Sequence, residues 1–356
     1  MPVMRRFFRV LFVLGFSVLV GVAINASGRF YGRSIPPLWV DPDAVVSGLG
    51  SMVPGLAWPD RVAAVDGHPL HVQEGYRARA WDTALQQAAA DHRSSIHVTF
   101  ETPRGIHTLD LPLVPMGAGE WWMQSGATLF ASVLYFWVAV MAAFKGRTGR
   151  AIAKHAFVAA IFIACIFDVQ STRLLVPLWL VSFSVLPGSL FMLGFRLPRD
   201  ISILRQYPWI VSAMDGAGIV FALVGISLRA LGHTITPMMT FLSIYLAVAQ
   251  IVFVTTYVVR YKRAKGLQKL WMGKFLATIL VTHGLLFVGI ACAMSDVSES
   301  VKVFARLTNL WMAAPGLALI VRYMYLRAHA VLEARRKSLR ETQDKITALR
   351  KSLFLE

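Results

Sequence analysis

Asp60-Arg61-Val62-Ala63-Ala64-Val65-Asp66-Gly67-His68-Pro69-Leu70 decides how this chain is read. Arg61–Val65 is a short β pattern, and Asp66-Gly67 supplies the tight turn that ends it. The segment lies within residues 27–120, the one long polar stretch in a chain of recurring apolar runs. The chain has 356 residues, 56% of them hydrophobic and 15% charged, whereas soluble domains carry about 25% charged residues. A soluble enzyme is excluded as the whole, and a polytopic membrane protein with one polar module is expected.

Outward from that strand, residues 38–115 alternate short β patterns with turns. Ala78–Ala90 has a helix pattern with Trp81, Leu85 and Ala88 on one face. Ile96–Glu101 points Ile96, Val98 and Phe100 inward. Thr102-Pro103-Arg104-Gly105 is a turn, and Ile106–Leu113 alternates again through Leu109, Leu111 and Leu113. The expected product is a small α+β module with a single core, without a disulfide, since Cys165 and Cys292 both lie in apolar runs.

Eight spans are expected, at Phe7–Ala26, Trp121–Phe144, Lys154–Val169, Leu174–Phe195, Pro208–Ala230, Pro237–Val259, Gly273–Ser295 and Leu307–Tyr325. The third is short and almost abuts the fourth, so a tight hairpin stays open there. The domain plan is an anchor at 1–26, the module at 27–120, a seven-helix bundle at 121–326 and a cytoplasmic helix at 327–356. The net charge of +17 divides unevenly: residues 27–120 hold 7 Arg and 10 Asp/Glu. Of the remaining Lys and Arg, 25 fall on one side of the spans. Only Arg173, Arg229, Lys302 and Arg306 fall in the short loops on the other. This is the positive-inside pattern rather than a nucleic-acid face. It puts both termini in the cytoplasm and the module outside, in the periplasm if the cell has an outer membrane. The first span reads as an uncleaved anchor, being longer than a signal-peptide core, although Ile24-Asn25-Ala26 keeps cleavage open. Trp121-Trp122 reads as an interfacial anchor.

The run Gly55-Leu56, Asp60–Leu70, a helix, Ile96–Phe100 and the Pro103-Arg104-Gly105 hairpin resembles a bacterial PDZ domain over about 75 residues. Pro59 stands where that family places a glycine before the aspartate. The resemblance implies capture of an extended polypeptide as an added strand, with backbone N–H groups of a loop holding its carboxylate. Gly48, Leu49 and Gly50 are the candidate loop, with a plain glycine turn as the alternative. A PDZ-like module before a seven-helix region also resembles the input half of multi-domain bacterial receptors.

Polar residues within spans are costly and mark function or interhelical hydrogen bonds. Asp215, Gln250 and His283 fall at about 10–14 Å depth from the same side by helical rise. They are a candidate network. Asp168, Arg173, Arg229 and Asn309 cluster at the outer span ends, as a candidate coupling group beneath the module. Pro187 and Pro315 can kink their helices. Ser212, Gly216, Gly218 and Ala222 offer small faces for close helix contact. In the tail, Leu332, Leu339, Ile346 and Leu353 recur every seven residues, with Leu349 between them, as a candidate heptad seam.

No zinc-protease motif, nucleophile elbow or phosphate loop occurs. His68, His71, His92, His97 and His107 read as surface residues without metal-ligand spacing. No cofactor, metal or catalytic residue is expected. The sequence reading is a non-enzymatic membrane sensor. Its partners are membrane lipids, an extracytoplasmic polypeptide, and a cytoplasmic output protein or second copy engaged through the tail. Alternatives are a transporter or intramembrane enzyme centred on Asp215 and His283, or an envelope-protein assembly scaffold.

Overall fold

The computed structural model describes residues 2–277 and 331–350, apart from short segments at 30, 47–52, 54, 57–58, 72–75, 144–145, 171, 197–203, 205, 267–268 and 271. Helix α1, Pro2–Gly28, leads into the polar module. The module's main sheet has strands β2 (Arg61–Val65), β3 (His68–Pro69), β4 (Ser95–Thr102) and β5 (Gly105–Pro112), in the order β3-β2-β4-β5. All pairings are antiparallel. Helix α2, Arg77–Ala90, joins β3 to β4.

The alternation read from the sequence sets the register. Ile96, Val98 and Phe100 are completely buried, and β4 pairs with β5 without a break from Ser95↔Pro112 to Thr102↔Gly105. Trp81, Ala78 and Ala88 of α2 join the same core, with Leu85 partly buried against it. Asp66 and Gly67 both take positive φ, the geometry that a two-residue hairpin turn needs and Asp-Gly tolerates. Arg93 then ties that turn to the end of α2 with two hydrogen bonds to the Asp66 carboxylate.

A second, two-stranded ribbon forms the module's stem. Strand β1 (Ser34–Ile35) pairs with β6 (Val114–Pro115), and Gly32 N–H donates to the Met116 carbonyl at 3.0 Å. Entry and exit of the module therefore run side by side. Below them, Trp121 Nε1 donates to the Ser27 carbonyl at 3.3 Å, fastening the end of α1 to the short helix α3, Ala118–Trp121. A π-helical turn at Trp122–Gly126 follows. The Trp122 ring covers the face of Gly126, where an added Cβ would overlap a ring carbon.

The membrane part contains α4 (Ala127–Ala142), α5 (Gly146–Gln170), α6 (Val176–Arg196), α7 (Trp209–Ala230) and α8 (Thr236–Arg263). Among the described residues, four helices are long and apolar enough to cross a membrane: α5 to α8. Shorter apolar stretches run over Val13–Gly28 of α1 and Thr128–Ala142 of α4. The expected spans at 273–295 and 307–325 lie almost wholly outside the described residues.

The third span needs correction. Instead of a short segment from Lys154, α5 is an unbroken helix of 25 residues. Arg147, Arg150 and Lys154, counted as loop charges from the sequence, lie on its first turns; a helix continues past its apolar window when nothing breaks it. Among the four described spans α6 is the most buried, packing against α5, α7 and α8. Close approach rests on glycine: a Cβ on Gly218 of α7 would sit 3.0 Å from the Ser184 carbonyl oxygen of α6. Of the small face expected on α7, Gly218 and Ala222 are buried in this packing, whereas Ser212 points outward. Apolar side chains such as Ile219, Leu223, Ile244 and Ile251 stay exposed on α7 and α8, as suits helices that face hydrocarbon. Residues 331–350 are helical, with Leu332, Leu339, Ile346 and Leu349 exposed; Leu353 lies outside the described residues.

Candidate functional site

Among the described residues, the most buried ion pairs lie where the module meets one end of the bundle. The turns after α5 and after α7 both face the module, and an aspartate descends onto each.

The first contact is built by Asp41-Pro42-Asp43-Ala44-Val45. The Asp41 carboxylate accepts the N–H groups of Asp43 at 2.8 Å and Val45 at 2.9 Å, a local turn of the kind that aspartate forms readily. Ala44 takes a φ of 63°. The turn aims the Asp43 side chain at the bundle, where it is 4% exposed. Asp43 Oδ1 accepts a hydrogen bond from Arg229 in the last turn of α7. Its Oδ2 accepts from Thr234 Oγ1 at 2.7 Å, Ile235 N–H at 2.8 Å, Thr236 N–H at 3.1 Å and Thr236 Oγ1 at 3.0 Å. Asp43 thus does for α8 what an N-cap residue does, satisfying first-turn N–H groups and meeting the positive end of the helix dipole. The cap comes from 192 residues away in the chain.

Arg229 is the hinge of this contact. It also donates to the Pro42 carbonyl at 3.1 Å, and its guanidinium lies 4.1 Å from the centre of the Tyr76 ring, a cation–π contact. Tyr76 in turn packs on the apolar core of the bundle. The second contact joins Asp82 of α2 to Arg173 in the turn between α5 and α6 through two hydrogen bonds. Arg173 is 2% exposed. Asp168 organises that turn: its carboxylate accepts the Leu175 N–H and the Thr172 hydroxyl, and its carbonyl accepts the Arg173 N–H.

The carboxylates differ in acidity for physical reasons. Burial raises Asp43, but the Thr234 hydroxyl, the Arg229 charge and the Ile235 N–H outweigh it and hold the group below its ordinary value. For Asp82, burial wins over the pull of Arg173, and its pKa is raised. Asp41 is pushed up to about 7 by burial and by the adjacent charge of Asp43. A titratable carboxyl therefore sits inside the turn that aims the cap.

The residues singled out in the sequence fall as follows. Asp168, Arg173 and Arg229 all lie at this seam, and Asn309 lies outside the described residues. The sequence did not mark Asp43, Asp82, Tyr76 or Thr234. Asp215 pairs with Lys154 across α7 and α5. Gln250 is half-buried on α8, and His283 lies outside the described residues. The neighbouring His155 Nδ1 is 2.9 Å from Ser189 Oγ of α6. Opposite charges at matching depth were the available signal for Lys154, masked by counting it as a loop residue. Gly48, Leu49 and Gly50 lie outside the described residues. His97 pairs with Asp110 on the exposed face of the sheet. Among the described residues, no group of three or more His, Cys, Asp or Glu side chains is placed to hold a metal ion.

No family model matches this chain, and neither a curated protein nor a solved structure matches it.

Proposed function

We propose that the chain is a non-enzymatic membrane sensor and signal transducer. A PDZ-like extracytoplasmic module reads an extracellular or envelope polypeptide, and an eight-span region passes the change to the cytoplasmic tail helix, which engages an output protein or a second copy. One observation carries the reading: Asp43 of the module completes the first turn of α8 and binds Arg229 of α7, so a displaced module leaves two membrane helices with unsatisfied groups. A module that served only as a tether has no need to supply a helix cap. The Asp82–Arg173 pair gives the same coupling to α5 and α6.

Charge supports the orientation. The basic last turns of α6 and α8, with Arg196, Arg260, Lys262 and Arg263, lie at the end of the bundle away from the module, as the positive-inside rule requires of a cytoplasmic end. The small antiparallel sheet, with α2 packed on it around its own core, supports a PDZ-like module. The exposed Leu332, Leu339 and Ile346 on the 331–350 helix support a coiled-coil contact.

The test is a spin-label distance measurement on the full chain in lipid nanodiscs. With Cys165 and Cys292 replaced by Ala, labels go at Thr255→Cys on α8 and Ser338→Cys on the tail. Unlocking the seam with Asp43→Asn and Asp82→Asn together is expected to shift or broaden the distance distribution. An unchanged distribution, with the module shown to be undocked, sinks the relay.

A further inference from the structure

A cavity of about 390 Å³ opens beside the seam. Tyr76 of the module, Val176 and Leu180 of α6, and Ile226, Arg229 and Ala230 of α7 line it. The volume lies in the range of small-molecule sites, roughly 300–1,000 Å³. Its walls are apolar except at one edge, where the Tyr76 ring and the Arg229 guanidinium meet. The terminal nitrogens of Arg229 are engaged by Asp43 and the Pro42 carbonyl. Its Nε is buried and has no hydrogen-bond partner among the described residues, and Arg229 as a whole is 9% exposed. A buried N–H donor without an acceptor is costly, and native structures nearly always provide one.

Position and charge narrow the occupant. The walls come from the first turns of α6 and the last turns of α7, and the ends of helices that cross a bilayer meet the boundary between its acyl region and its polar layer. The Arg229 charge is already matched by Asp43, with Asp41 close by, so a second full negative charge is not called for. We propose that this cavity binds an amphiphile with an uncharged carbonyl head, an ester or amide, on an acyl-type tail. The carbonyl accepts from Arg229 Nε, and the tail lies against Leu180 and Ile226 between α6 and α7. The binding stands by itself. Its effect on the seam, through the same arginine that holds Asp43, rests on the transducer reading above.

Two sources share this chemistry: a glycerol ester of the surrounding bilayer and a free single-chain ester or amide. The experiment uses the full chain in nanodiscs and two photoactivatable probes, a diazirine-bearing fatty-acyl methyl ester and a phospholipid bearing the same tail. Labelled peptides are mapped by mass spectrometry. Labelling is expected in 176–180 and 226–230, falling at least tenfold in Ile226→Trp and in Ala230→Leu, two independent ways to fill the space. The corresponding free fatty acid is expected to compete at least tenfold less well than the methyl ester. Labelling by the phospholipid probe alone identifies a bilayer lipid, and labelling by the methyl ester identifies a diffusible amphiphile; either supports the site. Labelling that misses these peptides, or persists in both filled variants, overturns it. Site-specific labelling that leaves the Thr255–Ser338 distance unchanged preserves the binding site and counts against the relay alone.

Discussion

The two ends of the bundle use the same type of residue in opposite ways. At the module end, Arg173 and Arg229 are 2% and 9% exposed, and each is held by an aspartate from the module. At the far end, Lys262 and Arg263 are exposed in the last turn of α8, while Arg260 of the same turn donates to the Phe195 carbonyl at 2.9 Å. There the favourable terms are water and the negative end of the helix dipole, worth a few tenths of a kcal/mol to about 1 kcal/mol. At the module end the two guanidinium groups are shielded from water, so their charge and hydrogen bonding must be satisfied within the protein. The contrast separates cations left to water from cations that join two parts of a fold.

The contrast breaks most sharply at Arg229. In Arg229→Met, Asp43 keeps its burial and loses its cation, a situation that costs about 3–5 kcal/mol. Hydrogen exchange at the Ile235 and Thr236 amides is expected to accelerate by roughly 100-fold or more; unchanged protection there would show that Asp43 does not hold the start of α8. Asp82→Asn is the milder break, because the amide keeps a side-chain oxygen that can accept from the buried Arg173. A loss of about 1–3 kcal/mol in urea unfolding is expected, and it should not add fully to the Arg229→Met loss if both contacts dock one body.

Acidity offers a third handle. The folded pKa of Asp41, about 7, lies above its ordinary value of 3.8. Its contribution to stability is therefore full below about pH 4 and is lost as the pH rises through 7. Asp43 works the other way: with a lowered pKa it stabilises at neutral pH, and that share is lost only as the pH falls below the ordinary carboxylate range. Asp41→Asn keeps an oxygen for the Asp43 and Val45 amides and removes the titration. It is expected to flatten the stability profile between pH 5 and 8 and to stabilise the chain at pH 8 by roughly 1–3 kcal/mol. A slope that survives the substitution would place the titrating group elsewhere. The smallest effect belongs to the far end, where Lys262→Gln is expected to shift the thermal midpoint by no more than the equivalent of about 0.5 kcal/mol.

Much of the module was readable from local pattern, because period-two alternation and an Asp-Gly turn are short-range signals. Ile96, Val98 and Phe100 went inward as written, and Asp66-Gly67 turned where expected. The length of α5 was not readable, since Arg147, Arg150 and Lys154 looked like a loop to a rule based on hydropathy. At the seam the sequence showed half of each pair. Arg173 and Arg229 stood out as charges at apolar span ends. Asp43 and Asp82 looked like any other carboxylate of a polar domain, and only the fold brings them across 186 and 91 residues to their partners.

The distance that Asp43 spans also orders events during synthesis. It leaves the ribosome 192 residues ahead of Ile235, on the order of 10–40 s earlier at ordinary elongation rates. The cap exists before the helix that it completes, and α8 is delivered to a module that has had time to fold. Slow folding of that module would leave the nascent α7–α8 hairpin without its acceptor, and quality control would meet the chain at that point.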